Sequence, residues 1–159
     1  RHLMYGSAKQ GWYKLLQLQK FIAPIDEHMK SFRDGHVNYK STLELNAIKY
    51  CDFNKNVQKW SLEPFPIPYL SPVDGKMHRY YIDLFMEFSS GDKFLVEVKS
   101  SGETKPPKKP KKVTDKKLVY YNKAIQTYMV NTAKWKAATK YSKDRGWKFI
   151  ILTEKELKM

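Results

Sequence analysis

Residues 78–100 read H-R-Y-Y-I-D-L-F-M-E-F-S-S-G-D-K-F-L-V-E-V-K-S. The half from Tyr80 to Phe88 is dense in aromatic and β-branched residues, which predicts a buried strand. Ser89-Ser90-Gly91-Asp92 is turn chemistry, and Phe94-Leu95-Val96 opens a second strand, so the stretch predicts a hairpin. Glu97 and Lys99 are two apart and share one face of that strand, while Val96 and Val98 take the other. An acid and a lysine on one face of an apolar strand are costly to bury without a purpose. Asp83 lies on the first strand.

Two carboxylates on adjacent strands suit a hard divalent cation, Mg²⁺ or Mn²⁺, held by Asp83 and Glu97 with the Val98 main-chain carbonyl as a further ligand. Such a cation activates water and polarises a phosphate. Lys99 can orient that water or stabilise charge on the phosphorus centre. The plain alternative is a solvated cross-strand ion pair.

Outward from the hairpin, charge is distributed unevenly. The chain has 159 residues and a formal net charge of +14. Residues 1–98 carry 13 Lys/Arg against 11 Asp/Glu, whereas residues 99–148 carry 15 against 3. The excess therefore begins where the Glu97-Val98-Lys99 strand ends, and a basic block of this size predicts a polyanion partner, double-stranded DNA. Its densest part is Lys105, Lys108, Lys109, Lys111, Lys112, Lys116 and Lys117, interleaved with Pro106, Pro107 and Pro110. Prolines keep such a segment extended, so residues 100–117 read as a basic arm that meets phosphates rather than base edges. The alternative is a lysine loop that only raises solubility.

One cysteine, Cys51, excludes an internal disulfide and fits a reducing compartment. No apolar run reaches the length of a membrane span and no signal peptide is expected, so no membrane partner is predicted. Arg1-His2-Leu3 stand ahead of Met4, a candidate native start. The length suits one domain.

Upstream, residues 1–38 read as an N-terminal extension, with a short helix from Trp12 to Phe21 and another turn or two from Ile25 to Phe32. Tyr39 to Cys51 predicts a helix with Leu43, Ala47 and Tyr50 as its apolar stripe. Ser41-x-x-Glu44 fits a capping box, and the competing role for Glu44 is a third carboxylate facing the hairpin. Val57 to Leu70 is strand-like, but its prolines confine it to an edge or a bent course. Glu63, in its middle, is either a solvated strand residue or an accessory to the site. Downstream, Thr114-Asp115 starts a helix that Asn131-Thr132 breaks or re-caps, Gly146 ends it, and Trp147 to Leu152 is a buried strand. The order is α-β-β-β-α-β over residues 39–159, a mixed α/β (α+β) fold.

That order, with Ile82-Asp83 followed fourteen positions later by Glu97-Val98-Lys99, resembles the PD-(D/E)XK restriction-endonuclease-like superfamily. Ile82 stands where its motif has proline. The resemblance implies catalytic roles for Asp83, Glu97 and Lys99, and for Glu44, which matches the glutamate many members carry on their first core helix. A more specific string set is similar to the head completion nucleases of T-even-like tailed phages. It comprises Y-K-S-x-x-E at 39–44, I-P-Y at 67–69, R-Y-Y-I-D at 79–83 and E-V-K at 97–99. It continues with E-T-x-P-P at 103–107, T-Y-x-V-N-x-x-K-W-K-A-A at 127–138 and K-F-x-I-L-T-E at 148–154. A more distant similarity runs to the endonuclease subunit of cut-and-paste transposons. The resemblance implies a DNA endonuclease acting in head completion before head and tail join. Its partners would be other head or neck proteins, and its place the host cytoplasm during assembly or the virion. The competing functions are a structural head component that binds DNA without cleaving it, and a transposon or repair endonuclease.

Overall fold

The computed structural model describes residues 10–24 and 31–158. In chain order its elements are β1 (Gly11–Lys14), a 3₁₀ turn (Leu18–Lys20), β2 (Phe32–Arg33), β3 (His36–Tyr39), α1 (Thr42–Phe53) and β4 (Val57–Leu62). They continue with β5 (Pro66–Leu70), β6 (Met77–Tyr81), β7 (Leu84–Phe88), β8 (Lys93–Val98), a second 3₁₀ turn (Ser101–Thr104), α2 (Asp115–Asp144) and β9 (Lys148–Leu152).

The expected hairpin forms as β7–β8, with Leu84 opposite Val96 and Glu87 opposite Lys93. β4 pairs antiparallel with β7 and β9 pairs parallel with β8, so the central sheet runs β4-β7-β8-β9. With α1 before it and α2 leading into β9, this is the α-β-β-β-α-β order expected from the sequence.

Two strands differ from the sequence reading. Val57 to Leu70 is not one bent strand: β4 ends at Leu62, and β5 belongs to a separate two-stranded sheet with β6. Pro66 and Pro68 are two apart, so both missing N–H groups lie on one edge, which a strand paired only with β6 can leave open. Tyr80 to Phe88 is likewise cut at Ile82-Asp83, where the chain leaves the β5–β6 sheet and enters the central one.

The sheet is covered on both faces. Val57, Trp60, Leu84, Met86 and Val96 pack with Ala47, Ile48 and Cys51 of α1. Leu95, Tyr80, Ile82 and Ile67 pack on the other face with Ala138 of α2 and the partly buried Trp135, Tyr141 and Trp147. Alternation along β8 therefore sends Val96 toward α1 and Leu95 toward α2, as period two requires.

Caps set the helix limits. The Ser41 hydroxyl accepts from the Glu44 amide at 3.0 Å, and the Glu44 carboxylate reaches back to the Lys40 amide at 3.1 Å, one residue beyond an ordinary capping box. Thr114 accepts from the Lys117 amide at 3.1 Å, and Gly146, at φ 75°, turns the chain after α2. α2 runs unbroken through Asn131-Thr132, because the Thr132 hydroxyl donates back to the Tyr128 carbonyl instead of capping a new helix.

The N-terminal reading needs correction. Trp12 to Phe21 is strand β1 and a 3₁₀ turn rather than a helix, and β1 pairs with β3, which also pairs with β2. Most of the Ile25–Phe32 segment lies outside the described residues; Phe32 is in β2. Leu15, Phe21 and Val37 join the α1-side core, so burial is obtained without helical spacing. Two buried polar contacts hold the segment to the end of α1. The Asp52 carboxylate accepts from the Tyr13 hydroxyl (2.8 Å) and the Leu16 and Gln17 amides (both 2.9 Å). The Lys20 ammonium donates to the carbonyls of Cys51, Asp52 and Asn54 at 2.6, 3.2 and 2.9 Å. It satisfies carbonyls that a helix C-terminus leaves without intrahelical partners.

Candidate active site

Asp83 stands in the two-residue break between β6 and β7. Since β7 pairs with β8 only as far as Leu84 opposite Val96, the Val98 amide has no β7 partner. The Asp83 carboxylate takes its place, accepting from Val98 N at 2.8 Å. The break in the strand thus aims an acid at the end of β8.

Glu97 is buried on β8, 6% exposed. The Tyr80 hydroxyl donates to its Oε1 at 2.6 Å, and the Lys99 ammonium stands 3.5 Å from its Oε2. Lys99 follows the last residue of β8, and its own amide donates to the Leu152 carbonyl of β9 at 3.0 Å. Glu97 and Lys99 thus share a face, as their spacing predicts.

The electrostatics concentrate on Asp83. Burial pushes its carboxyl well above the ordinary range, the charge of Glu97 pushes it further, the Val98 amide opposes both, and Glu44 adds a smaller push upward. Burial also raises Glu44, against the Lys40 amide and ammonium, which lower it. Glu44 therefore caps α1, and its charge also bears on Asp83.

Glu63 is set beside this group by its backbone. It adopts φ 41°, a left-handed conformation costing a non-glycine residue about 1–3 kcal/mol. In that conformation its amide donates to the Asp83 carbonyl at 3.0 Å and its carboxylate meets the Lys40 ammonium at 3.3 Å. Glu63 holds the main chain of Asp83, a contact the sequence did not reveal.

The arrangement brings together Asp83, Glu97 and Lys99, with Glu44 and Glu63 beside them. Lys105, Lys108, Lys109, Lys111, Lys112, Lys116 and Lys117 are all exposed, and none forms an ion pair among the described residues. Lys105 to Val113 has no regular secondary structure, as its prolines require. The arm starts from a fixed point, because the Ser101 amide and hydroxyl both donate to Glu154. Tyr80 was missed as a site residue: seventeen positions from Glu97, it read only as an apolar strand residue.

Among the described residues no group of three or more His, Cys, Asp or Glu is arranged to hold a metal ion. A Mg²⁺-type cation needs fewer, since it keeps several waters and takes one or two carboxylates. Asp83 and Glu97 would be such a pair, since Glu97 is buried and its charge bears on Asp83.

Comparison with known proteins bears on this geometry. The family model described as "TnsA-like endonuclease N terminal" matches residues 54–154, which spans β4 through β9. The head completion nuclease of Enterobacteria phage T4 is 39% identical over 122 residues, covering 77% of this chain and 81% of that protein. No solved structure gives a significant match. A family model matched over well over half of the chain, through the segment that includes Asp83, Glu97 and Lys99, makes this protein a nuclease of the TnsA-like endonuclease family.

Proposed function

We propose that this protein is a divalent-metal-dependent DNA endonuclease that acts in phage head completion, after packaging and before head and tail join. The observation that carries the chemistry is the pair Asp83 and Glu97, crowded together at the end of β8 with Lys99 on the same face. The named phage relative supports the biological setting. Asp83, Glu97 and the Val98 carbonyl would hold Mg²⁺ or Mn²⁺, which when bound polarises a phosphate and lowers the pKa of water. Lys99 places a positive charge where negative charge develops on the phosphate oxygens, the kind of contribution worth roughly 10²–10³-fold in rate. Glu44 keeps the helix start fixed while adding negative charge beside Asp83. Glu63 holds the Asp83 main chain in place. Residues 39–159 contain all of these groups, and residues 1–38 stand outside the chemistry. The arm at 100–117 binds duplex DNA through its phosphates. Head or neck proteins are the expected partners, in the host cytoplasm or on the assembling particle.

The deciding assay is plasmid cleavage by the full chain with Mg²⁺, with Mn²⁺ and with chelator. Nicking or linearisation with either metal and none with chelator is expected. Intact plasmid in all three, with DNA still bound, would leave a structural DNA-binding protein instead.

A further inference from the structure

The β5–β6 hairpin lies outside the central sheet, yet one of its side chains reaches into the acid pair. Tyr80 is 4% exposed, and its hydroxyl is 2.6 Å from Glu97 Oε1. That length falls in the range of a charge-assisted O–H···O⁻ hydrogen bond. The phenol ring is itself held: Ile67, Ile82, Leu95 and Ala138 share its core cluster, and the Lys134 ammonium of α2 lies 5.6 Å from its centroid. With Lys99 on Oε2, both oxygens of Glu97 have a partner, one from β6 and the other from just beyond the end of β8. Asp83 is fixed separately by the Val98 amide.

We propose that Tyr80 is a positioning residue for the metal site: its hydroxyl locks the Glu97 carboxylate in the orientation that receives the cation. The proposal rests on the metal-dependent reading above. Without that donor, Oε1 of a carboxylate only 6% exposed loses its hydrogen-bond partner, and the side chain is free to turn away from the cation. The phenol supplies a hydrogen bond without adding a positive charge that would compete with the metal. On this view the inserted hairpin is part of the active site, and its function is to deliver one hydroxyl.

The test is Mn²⁺ binding to the full-length, DNA-free protein, followed by the electron paramagnetic resonance of free Mn²⁺. Partners that orient metal ligands typically contribute 10–100-fold in affinity, so Tyr80→Phe should bind Mn²⁺ weaker by about that factor. Its cleavage should recover to near the parent rate at saturating Mn²⁺, because the loss lies in metal half-saturation. Tyr69→Phe is the packing control: its ring also lies under Lys134, at 5.8 Å, and it is comparably buried. Parent-like Mn²⁺ affinity in Tyr80→Phe overturns the proposal, as does an equal loss in Tyr69→Phe. Should Tyr80→Phe fail to fold, 3-fluorotyrosine placed at position 80 takes over. Its ¹⁹F resonance should move with the Mg²⁺ binding isotherm, and a static resonance overturns the proposal. Glu97→Gln separates this failure from that of the parent reading. Parent-like Mn²⁺ affinity there removes the metal site itself, whereas loss in Glu97→Gln alone removes only the role of Tyr80.

Discussion

Asp52 is fully buried at the end of α1, and three donors from the N-terminal segment converge on its carboxylate. Asp83 accepts one hydrogen bond from the Val98 amide and is surrounded by other acids, Glu97 foremost and Glu44 behind it. The first acid is satisfied by the fold, and the second is left electrostatically frustrated. The difference separates a structural role from a chemical one more sharply than burial does. An acid that the protein has surrounded with donors is part of its stability, while one set beside other acids is where the proposed cation would sit. The same division sorts the lysines. Lys20 is buried against three carbonyls and ends a helix, whereas Lys99 is partly open beside a carboxylate where substrate would arrive.

Exchanging these two acids should produce opposite phenotypes. Asp83→Asn should abolish cleavage while leaving the fold intact and raising Tm near neutral pH by a few degrees, about what 1 kcal/mol is worth in a domain this size. Asp52→Ala should keep the turnover of folded protein but strand three donors, costing about 3–5 kcal/mol and lowering Tm by roughly 10 °C. Melting both variants across a pH series without metal sharpens the test. A carboxyl whose folded pKa is raised favours its protonated form. Its stability contribution is therefore full below the unfolded pKa and is lost as pH rises through the folded one. The advantage of Asp83→Asn should accordingly shrink toward acid pH and grow as pH rises above the ordinary carboxylate range. If Asp83→Asn melts below the parent at neutral pH, the contrast between the two acids is gone.

Lys99→Ala should lower the cleavage rate by roughly 10²–10³-fold with duplex affinity kept. Equal turnover with weaker binding would make Lys99 an ordinary phosphate ligand. Glu44 lies between the two classes, because it caps a helix and also presses on Asp83. Glu44→Gln preserves an acceptor for the Lys40 amide, so Tm should hold while cleavage falls about 10–100-fold, the usual effect of a group that supports a metal site. Full activity in this variant would assign Glu44 to the cap alone. The smallest effect belongs to the arm. Replacing Lys108, Lys109, Lys111 and Lys112 with glutamine should flatten the log–log salt dependence of duplex binding by roughly 0.9 for each phosphate no longer neutralised. An unchanged slope would show that the arm does not touch DNA.

The chemical half of the comparison was more legible in sequence than the structural half. Glu97 and Lys99 share a face because strand spacing dictates it, and Ser41, Thr114 and Gly146 mark helix ends by local capping rules. Asp83 was legible as an acid on the hairpin, but not as the break that ends pairing with β8, which depends on where β6 departs. The clamp on Asp52 was invisible. Its partners lie 35 to 39 positions away, and nothing in Tyr13, Leu16 or Gln17 alone announces a donor aimed at a distant carboxylate. The apolar residues around them suggested a helix, since Leu15 and Phe21 reach the core from irregular backbone that periodicity does not encode. Tyr80 escaped for a related reason, because its hydroxyl acts across two sheets while its ring satisfies a strand pattern.

β4 is a border strand of the central sheet, and its outer side is already occupied. The Ile22 amide donates to the Trp60 carbonyl at 2.8 Å, and Phe21 bridges alongside Trp60 in parallel. An open strand border recruits other polypeptides, including copies of itself. The N-terminal segment therefore covers part of that border, although it lies outside the proposed chemistry. A chain shortened to residues 39–159 would keep every acid and lysine of the candidate site and expose the border that Phe21 and Ile22 close. Such a protein should self-associate more readily than the full chain, an outcome that sedimentation of the two side by side would check.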